Sequence, residues 1–224
     1  MIFKFIKQSS PPDIAQQMAD KIASLAKTNG RISWFLSGGS CIPIEASAAN
    51  LLNESLARDI TGFLIDERFG QPGHADSNFH QLQAAGFPGY KLRVVPVLEG
   101  LDINQTTQKY DKVIRDLTVS SSYKIGVFGI GADGHIAGIL PNSPALLSTD
   151  YVTSYDGADY RRITITEKTL RAIDEAIVYA AGPSKHTALN NLREKLLVKD
   201  QPAQLLKLIP QVTIYNDLVE GDLL

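Results

Sequence analysis

Long apolar runs are missing from this 224-residue chain, and no stretch nears the roughly 20 residues a helix needs to cross a bilayer. Cysteine occurs once, at Cys41, so no disulfide can form within the chain and a reducing compartment is expected. Neither sign of charge dominates: 22 Lys and Arg stand against 24 Asp and Glu, a formal net charge of −2. There is no basic field to gather nucleic acid or anionic lipid, so neither is expected as a partner. An anionic ligand has to be caught by a local site. The four histidines, His74, His80, His135 and His186, contain no i, i+4 pair, and neither HExxH nor a cysteine cluster is present. No metal is expected. No G-x-S-x-G elbow marks a serine hydrolase. The opening MIFKFIKQSSPP has lysines inside its apolar run and no cleavage pattern, so it does not read as a signal peptide and a cytoplasmic location is expected. No repeat or linker interrupts the chain, and 1–224 reads as a single domain.

What is present is a regular alternation. Ser10-Pro11 reads as a helix cap and first position, with Ile14, Met18, Ile22 and Leu25 on one face. ISWFL (32–36) is a β-branched and aromatic run stopped by glycines. A helix follows Pro43, with Ala48, Leu51, Leu52 and Leu56 at helical spacing. GFLI (62–65), LRVVPV (92–97), KIGVFGI (124–130), AIVYAA (176–181) and QVTIY (211–215) read as further strands. Residues 104–118 place Tyr110, Val113, Ile114 and Leu117 on a helical face, and a helix after Gly182-Pro183 bears Leu189, Leu192 and Leu196. Apolar strands separated by amphipathic helices predict an α/β fold, a doubly wound, mainly parallel sheet with helices on both faces. RITIT (162–166) alternates with period two and is expected to pair differently.

In such sheets ligands bind beyond the carboxyl ends of the strands, where strand order reverses. Four strands end in polar loops. Ser37-Gly38-Gly39-Ser40 lies between a strand and a helix, where glycine amides can turn toward a phosphate; the ordinary alternative is a tight turn. Gly182-Pro183-Ser184-Lys185 has the same setting, with Ser184 expected as N-cap. Lys185 in a first helical turn opposes the helix dipole unless an anion compensates it. His186 reads as a surface histidine. Asp66-Glu67-Arg68 closes the GFLI strand. Glu67 is expected to mark the exit into solvent, Asp66 to be the most buried of the three, and Arg68 to suit phosphate or carboxylate.

The segment Gly129 to His135, GIGADGH, satisfies G-x-G-x-x-G after a strand, so a dinucleotide site has to be weighed. Against it, the motif lies mid-chain, Pro141 follows too soon for more than a short helix, and Asp133 and His135 flank the last glycine. Those two side chains suit an orienting carboxylate and an acid/base imidazole.

Taken together, LSGGS, IDERF with Ser77-Asn78 downstream, GIGADGHIAGILP, RITIT and AGPSKHTAL resemble the 6-phosphogluconolactonase and glucosamine-6-phosphate deaminase superfamily, in order, from Ser37 to about Leu197. Asp66-Glu67-Arg68, Ser77-Asn78 and the RITIT segment are similar to the lactonase branch. The deaminase branch carries a Glu shortly after its histidine, and here Ile136-Ala137-Gly138-Ile139-Leu140-Pro141 holds no carboxylate. Ile136 and Gly138 depart from the lactonase pattern of Thr and Ser, which removes two possible hydrogen bonds. The resemblance implies hydrolysis of 6-phosphoglucono-δ-lactone to 6-phosphogluconate, a step of the pentose phosphate pathway, without metal or organic cofactor. It implies His135 as general base, Asp133 or Asp66 as its support, and phosphate on Gly38, Gly39 and Ser40, with Ser37 beside them. Lys185 and Arg162 add charge, Arg68 meets phosphate or product carboxylate, and Asn78 lines the sugar. The alternatives are a deaminase or isomerase reaction, a non-catalytic phosphosugar sensor, and a nucleotide-binding oxidoreductase.

Overall fold

The computed structural model describes residues 2–120 and 122–222. The chain begins with β1 (Ile2–Lys7) and α1 (Pro11–Asn29), then β2 (Ile32–Leu36), α2 (Ile42–Leu51), α3 (Glu54–Ala57) and β3 (Ile60–Leu64). It continues through β4 (Asp66–Arg68), α4 (Asn78–Ala84), β5 (Arg93–Val95), α5 (Ile103–Thr118) and β6 (Tyr123–Gly129). β7 (Val152–Asp156), β8 (Arg161–Ile165), α6 (Glu167–Leu170), β9 (Glu175–Ala180), α7 (His186–Arg193), β10 (Gln211–Asn216) and β11 (Gly221–Asp222) follow.

The main sheet has eight strands in the order β11-β1-β10-β9-β6-β2-β3-β5. Every pairing is parallel except β1 with β11. From β2 the chain steps outward to β3 and β5, then returns to β6 and steps the other way to β9 and β10. Strand order therefore reverses between β2 and β6. Right-handed crossovers taken in opposite directions place their helices on opposite faces. α1 accordingly packs on α2, and α2 on α4, while α5 packs on β7 and α6 and α7 share the 202–208 segment. All of β2 is buried, Trp34, Phe35 and Leu36 completely, as a central strand covered on both faces requires. β1 alternates, with Phe3 and Phe5 buried and Ile2 and Lys4 out, and Lys7 is exposed at the strand's end.

RITIT departs from the main sheet, as its period suggested. β8 lies between β4 and β7 in a three-stranded antiparallel sheet. Several expected boundaries shift. α2 stops at Leu51, which is exposed, and Leu56 belongs to α3. Only Arg93–Val95 of the 92–97 run is a strand, and α7 ends at Arg193, leaving Leu196 exposed. Ser10 sits at the α1 N-cap but its hydroxyl accepts no capping hydrogen bond; Pro11 supplies the preset φ instead. Among the described residues no helix is long and apolar enough to cross a membrane.

Candidate active site

β2 and β6 flank the reversal, and their carboxyl ends deliver two of the four polar loops. After β2, the Ser37 N–H donates to Glu45 Oε1 at 2.7 Å, which fixes the loop from below. That bond turns the Ser37 amide away from any ligand. The N–H groups of Gly38, Gly39 and Ser40 find no protein acceptor among the described residues. Gly39 has φ +61°, a left-handed conformation that favours glycine. A Cβ at Gly38 would fall 2.3 Å from Asn78 Oδ1, so the loop can pack on Asn78 only through a glycine. Glu45 is fully buried with its Oε2 unpartnered. Burial pushes its carboxyl well above the usual range, against the Ser37 N–H, and nearby Asp66 pushes it further.

After β3, Asp66 to Arg68 form β4, paired with Thr164 to Arg162 of β8. The reading of Glu67 as an exit into solvent is overturned: Glu67 is 0% exposed, and Asp66, expected to be the most buried of the three, is 8% exposed. Glu67 accepts from the N–H groups of Arg68, Asn78 and Phe79 and from Ser77 Oγ, at 2.7–3.1 Å. A buried carboxylate tolerates its desolvation when it collects donors in this way. Burial still raises its carboxyl pKa, with those backbone N–H groups pulling it back. Asn78 donates through Nδ2 to the Asp66 carbonyl (3.0 Å) and carboxylate (3.3 Å), while its Oδ1 is buried and unpartnered. Burial pushes Asp66 up, and Arg68, Arg162 and His135 act against that.

After β6, the chain turns sharply without forming a helix. His135 Nδ1 lies 2.6 Å from Asp133 Oδ1, which also accepts the His135 N–H at 3.1 Å. Burial would raise Asp133, but the His135 N–H, charge and imidazole bond hold it below the usual value. The glycines of GIGADGH serve this turn. A Cβ at Gly131 would sit 2.1 Å from His135 Nδ1, and one at Gly134 would sit 2.2 Å from Gln201 Oε1. The motif makes room for an imidazole–carboxylate pair and for a packed neighbour, and these uses account for the two glycines without a dinucleotide. Between the candidate supports, Asp133 holds the ring; Asp66 makes no hydrogen bond to it.

The departures beyond His135 are packing features. Ile136 is fully buried. Gly138 donates its N–H to Thr164 Oγ1 at 3.0 Å, and a Cβ there would meet Thr164 Cβ at 2.8 Å. Tyr155 Oη donates to the Gly138 carbonyl at 2.6 Å. Ala137, between them, has φ +49°.

After β9, residues Pro183–Lys185 form a 3₁₀ turn capped by Gly182, and α7 starts at His186, so Ser184 is not the N-cap expected. His186 is no isolated surface side chain. Its Nε2 lies 3.1 Å from Asp217 Oδ1, and Asp217 Oδ2 accepts the Gly182 N–H at 3.0 Å. The turn carrying Lys185 is thereby tied to the exit of β10.

Ser37, Gly38, Gly39, Ser40, Asp66, Arg68, Asn78, His135, Arg162 and Lys185 line one cavity of about 210 Å³. Asp133 stands behind His135, half exposed. The cavity also takes in Gly129, Ile130, Gly131 and Ala137, which sequence reasoning did not single out as ligand-facing. Only their adjacency to His135 hinted at it. Lys185, Arg68 and Arg162 reach the cavity without a carboxylate within ion-pair distance among the described residues. Three cations outside any close ion pair, with Asp66 among them, free amides and an oriented imidazole suit an oxyanion-bearing ligand. Among the described residues no group of three His, Cys, Asp or Glu side chains could hold a metal.

A 6-phosphogluconolactonase of Bos taurus is 26% identical over 219 residues, covering 89% of this chain and 84% of that protein. A glucosamine-6-phosphate deaminase of Lactobacillus delbrueckii subsp. bulgaricus is 24% identical and covers 99% of each chain. The crystal structure of a 6-phosphogluconolactonase from Shewanella baltica OS155 superposes with a TM-score of 0.80 at 20% identity, over 95% of this chain and 96% of that one. Residues 7–214 match the family described as glucosamine-6-phosphate isomerases/6-phosphogluconolactonase, and the chain belongs to that family.

Proposed function

We propose that this protein hydrolyses 6-phosphoglucono-δ-lactone to 6-phosphogluconate. The observation that carries the reading is the His135–Asp133 pair beside three cations that make no close ion pair, with no carboxylate in residues 136–141. Ring opening with amine release calls for a further acid in the proton relay, whereas a lactone asks for less. Its carbonyl is already electrophilic, so positioning, water deprotonation and oxyanion stabilisation suffice.

With Nδ1–H donated to Asp133, Nε2 of His135 keeps its lone pair and takes a proton from water. The resulting hydroxide bonds to the lactone carbonyl carbon, and the C–O ring bond breaks as His135 returns the proton to the departing oxygen. The amides of Gly38, Gly39 and Ser40 with Lys185 and Arg162 hold the phosphate, and Arg68 meets phosphate or the new carboxylate. Anchoring the remote phosphate fixes the reacting carbonyl. The phosphosugar is the only partner this chemistry needs, and a cytoplasmic site of action accords with the single, buried Cys41.

The test is a side-by-side turnover assay with the phosphorylated lactone and with glucosamine 6-phosphate. Acid release from the first and no ammonia from the second is expected; the reverse assigns the deaminase reaction, and ligand-induced thermal stabilisation without either product assigns a sensor.

A further inference from the structure

Arg68 and Arg162 are direct cross-strand partners in the β4–β8 ladder. Like charges placed opposite one another in a sheet repel. Their neighbour Arg161 is neutralised by Asp156 at 2.9 Å, but neither Arg68 nor Arg162 has such a partner among the described residues. Both carry a buried Nε with no hydrogen-bond acceptor. What they share is one aromatic ring: the Arg68 and Arg162 guanidinium carbons lie 5.5 and 5.8 Å from the Tyr160 centroid. Tyr160 sits at the tip between β7 and β8. There the Gly157 N–H donates to the Tyr160 carbonyl at 2.9 Å, and a Cβ at Gly157 would fall 3.3 Å from Arg162 Nε. The tip therefore packs closely on Arg162. Arg68 is also held by its Nη1–H bond to the Asp76 carbonyl (2.9 Å), and the Tyr160 hydroxyl donates to the Asp76 carboxylate at 3.4 Å.

We propose that Tyr160 is a positioning residue that holds Arg68 and Arg162 side by side, so that both bind one oxyanion group of the ligand. The negative face of the ring offsets two positive charges that would otherwise splay apart, and an arriving oxyanion completes the neutralisation. The proposal rests on the phosphosugar reading of the cavity, and it concerns binding rather than turnover.

The experiment is calorimetric titration of the whole protein with 6-phosphogluconate, and separately with inorganic phosphate and with gluconate. Tyr160→Leu should weaken 6-phosphogluconate about tenfold, the scale of two partly exposed cation–π contacts. Tyr160→Phe, which keeps the ring, should stay within about twofold. The weaker of the two single-group probes in Tyr160→Leu identifies whether phosphate or carboxylate sits on the arginines. Arg162→Lys keeps the charge without the planar stack, and adding Tyr160→Leu to it should cost little more; Arg162→Lys alone keeps the test available if Tyr160→Leu does not fold. Wild-type affinity in Tyr160→Leu, equal losses in the Leu and Phe variants, or full additivity with Arg162→Lys would overturn the proposal, as would a wild-type protein that binds none of the three probes. A wild-type protein that binds 6-phosphogluconate without hydrolysing the lactone sinks the activity alone.

Discussion

Residue 131 has room for a hydrogen and little else. Gly131→Ala would drive a Cβ to 2.1 Å from His135 Nδ1 and 2.5 Å from Asp133 Oδ1, breaking the pair that fixes the imidazole. Its φ is not left-handed, so the backbone itself tolerates alanine. Lactone turnover should fall about 100-fold, as for loss of a general base, with little change in melting temperature; steady-state kinetics beside thermal unfolding checks both. Glu45 makes a prediction of the opposite kind. Burial lifts its folded pKa above the unfolded value of about 4.3, so the folded state binds a proton more readily than the unfolded chain. Its stability contribution is complete below the unfolded value and is lost as pH rises through the folded one. Glu45→Gln keeps the acceptor for the Ser37 N–H and cannot ionise. The variant should therefore gain melting temperature over wild type at about pH 8, with the difference shrinking toward about pH 5. An unchanged difference across that range contradicts a buried, titrating Glu45. Neither role was legible from sequence: the glycines of GIGADGH fit a dinucleotide pattern that only the flanking Asp133 and His135, the mid-chain position and Pro141 argued against, and Glu45 is one of several polar positions in α2.

β4 is three charged residues that sequence gives no reason to call a strand. It is one because β8 offers it a ladder and because Glu67, pointing inward, is met by the start of α4. That helix begins at Ser77-Asn78, so the downstream Ser-Asn and the Glu belong to one local structure. Glu67→Ala would strand the buried Asn78 N–H and Ser77 hydroxyl and the partly buried Arg68 and Phe79 N–H groups, and should cost about 3 kcal/mol or more in urea unfolding; a loss under about 1 kcal/mol would mean water replaces the carboxylate easily. The β8 contact also explains position 138. A side chain there meets Thr164, so Gly138→Ser, which restores the lactonase pattern, should lower stability and not raise turnover. Sequence comparison alone counts Gly138 as a missing hydroxyl. The structure shows the hydroxyl supplied from the other side, by Thr164 to the Gly138 N–H.

Across the molecule, the legible part of the fold was the main sheet, because buried parallel strands are written as continuous apolar runs: ISWFL, KIGVFGI, AIVYAA and QVTIY all lie in it. The small antiparallel sheet was hidden, since β4 and VTSYD of β7 are polar and become strands only through their pairing with β8. The polar loops were legible for a topological reason. Parallel strands align their carboxyl ends, so SGGS, DER, GADGH and GPSK, far apart in sequence, had to arrive at one edge. The reversal between β2 and β6 opens the cavity there. That convergence supports a single phosphosugar site in which His135 acts as base. The central claim is tested most directly by lactone turnover in the wild type and in His135→Ala, with 6-phosphogluconate affinity measured on both. A kcat lowered by about 100-fold or more with affinity nearly unchanged is the predicted result. Near-wild-type turnover in the variant would remove His135 from the chemistry, and with it the mechanism proposed here.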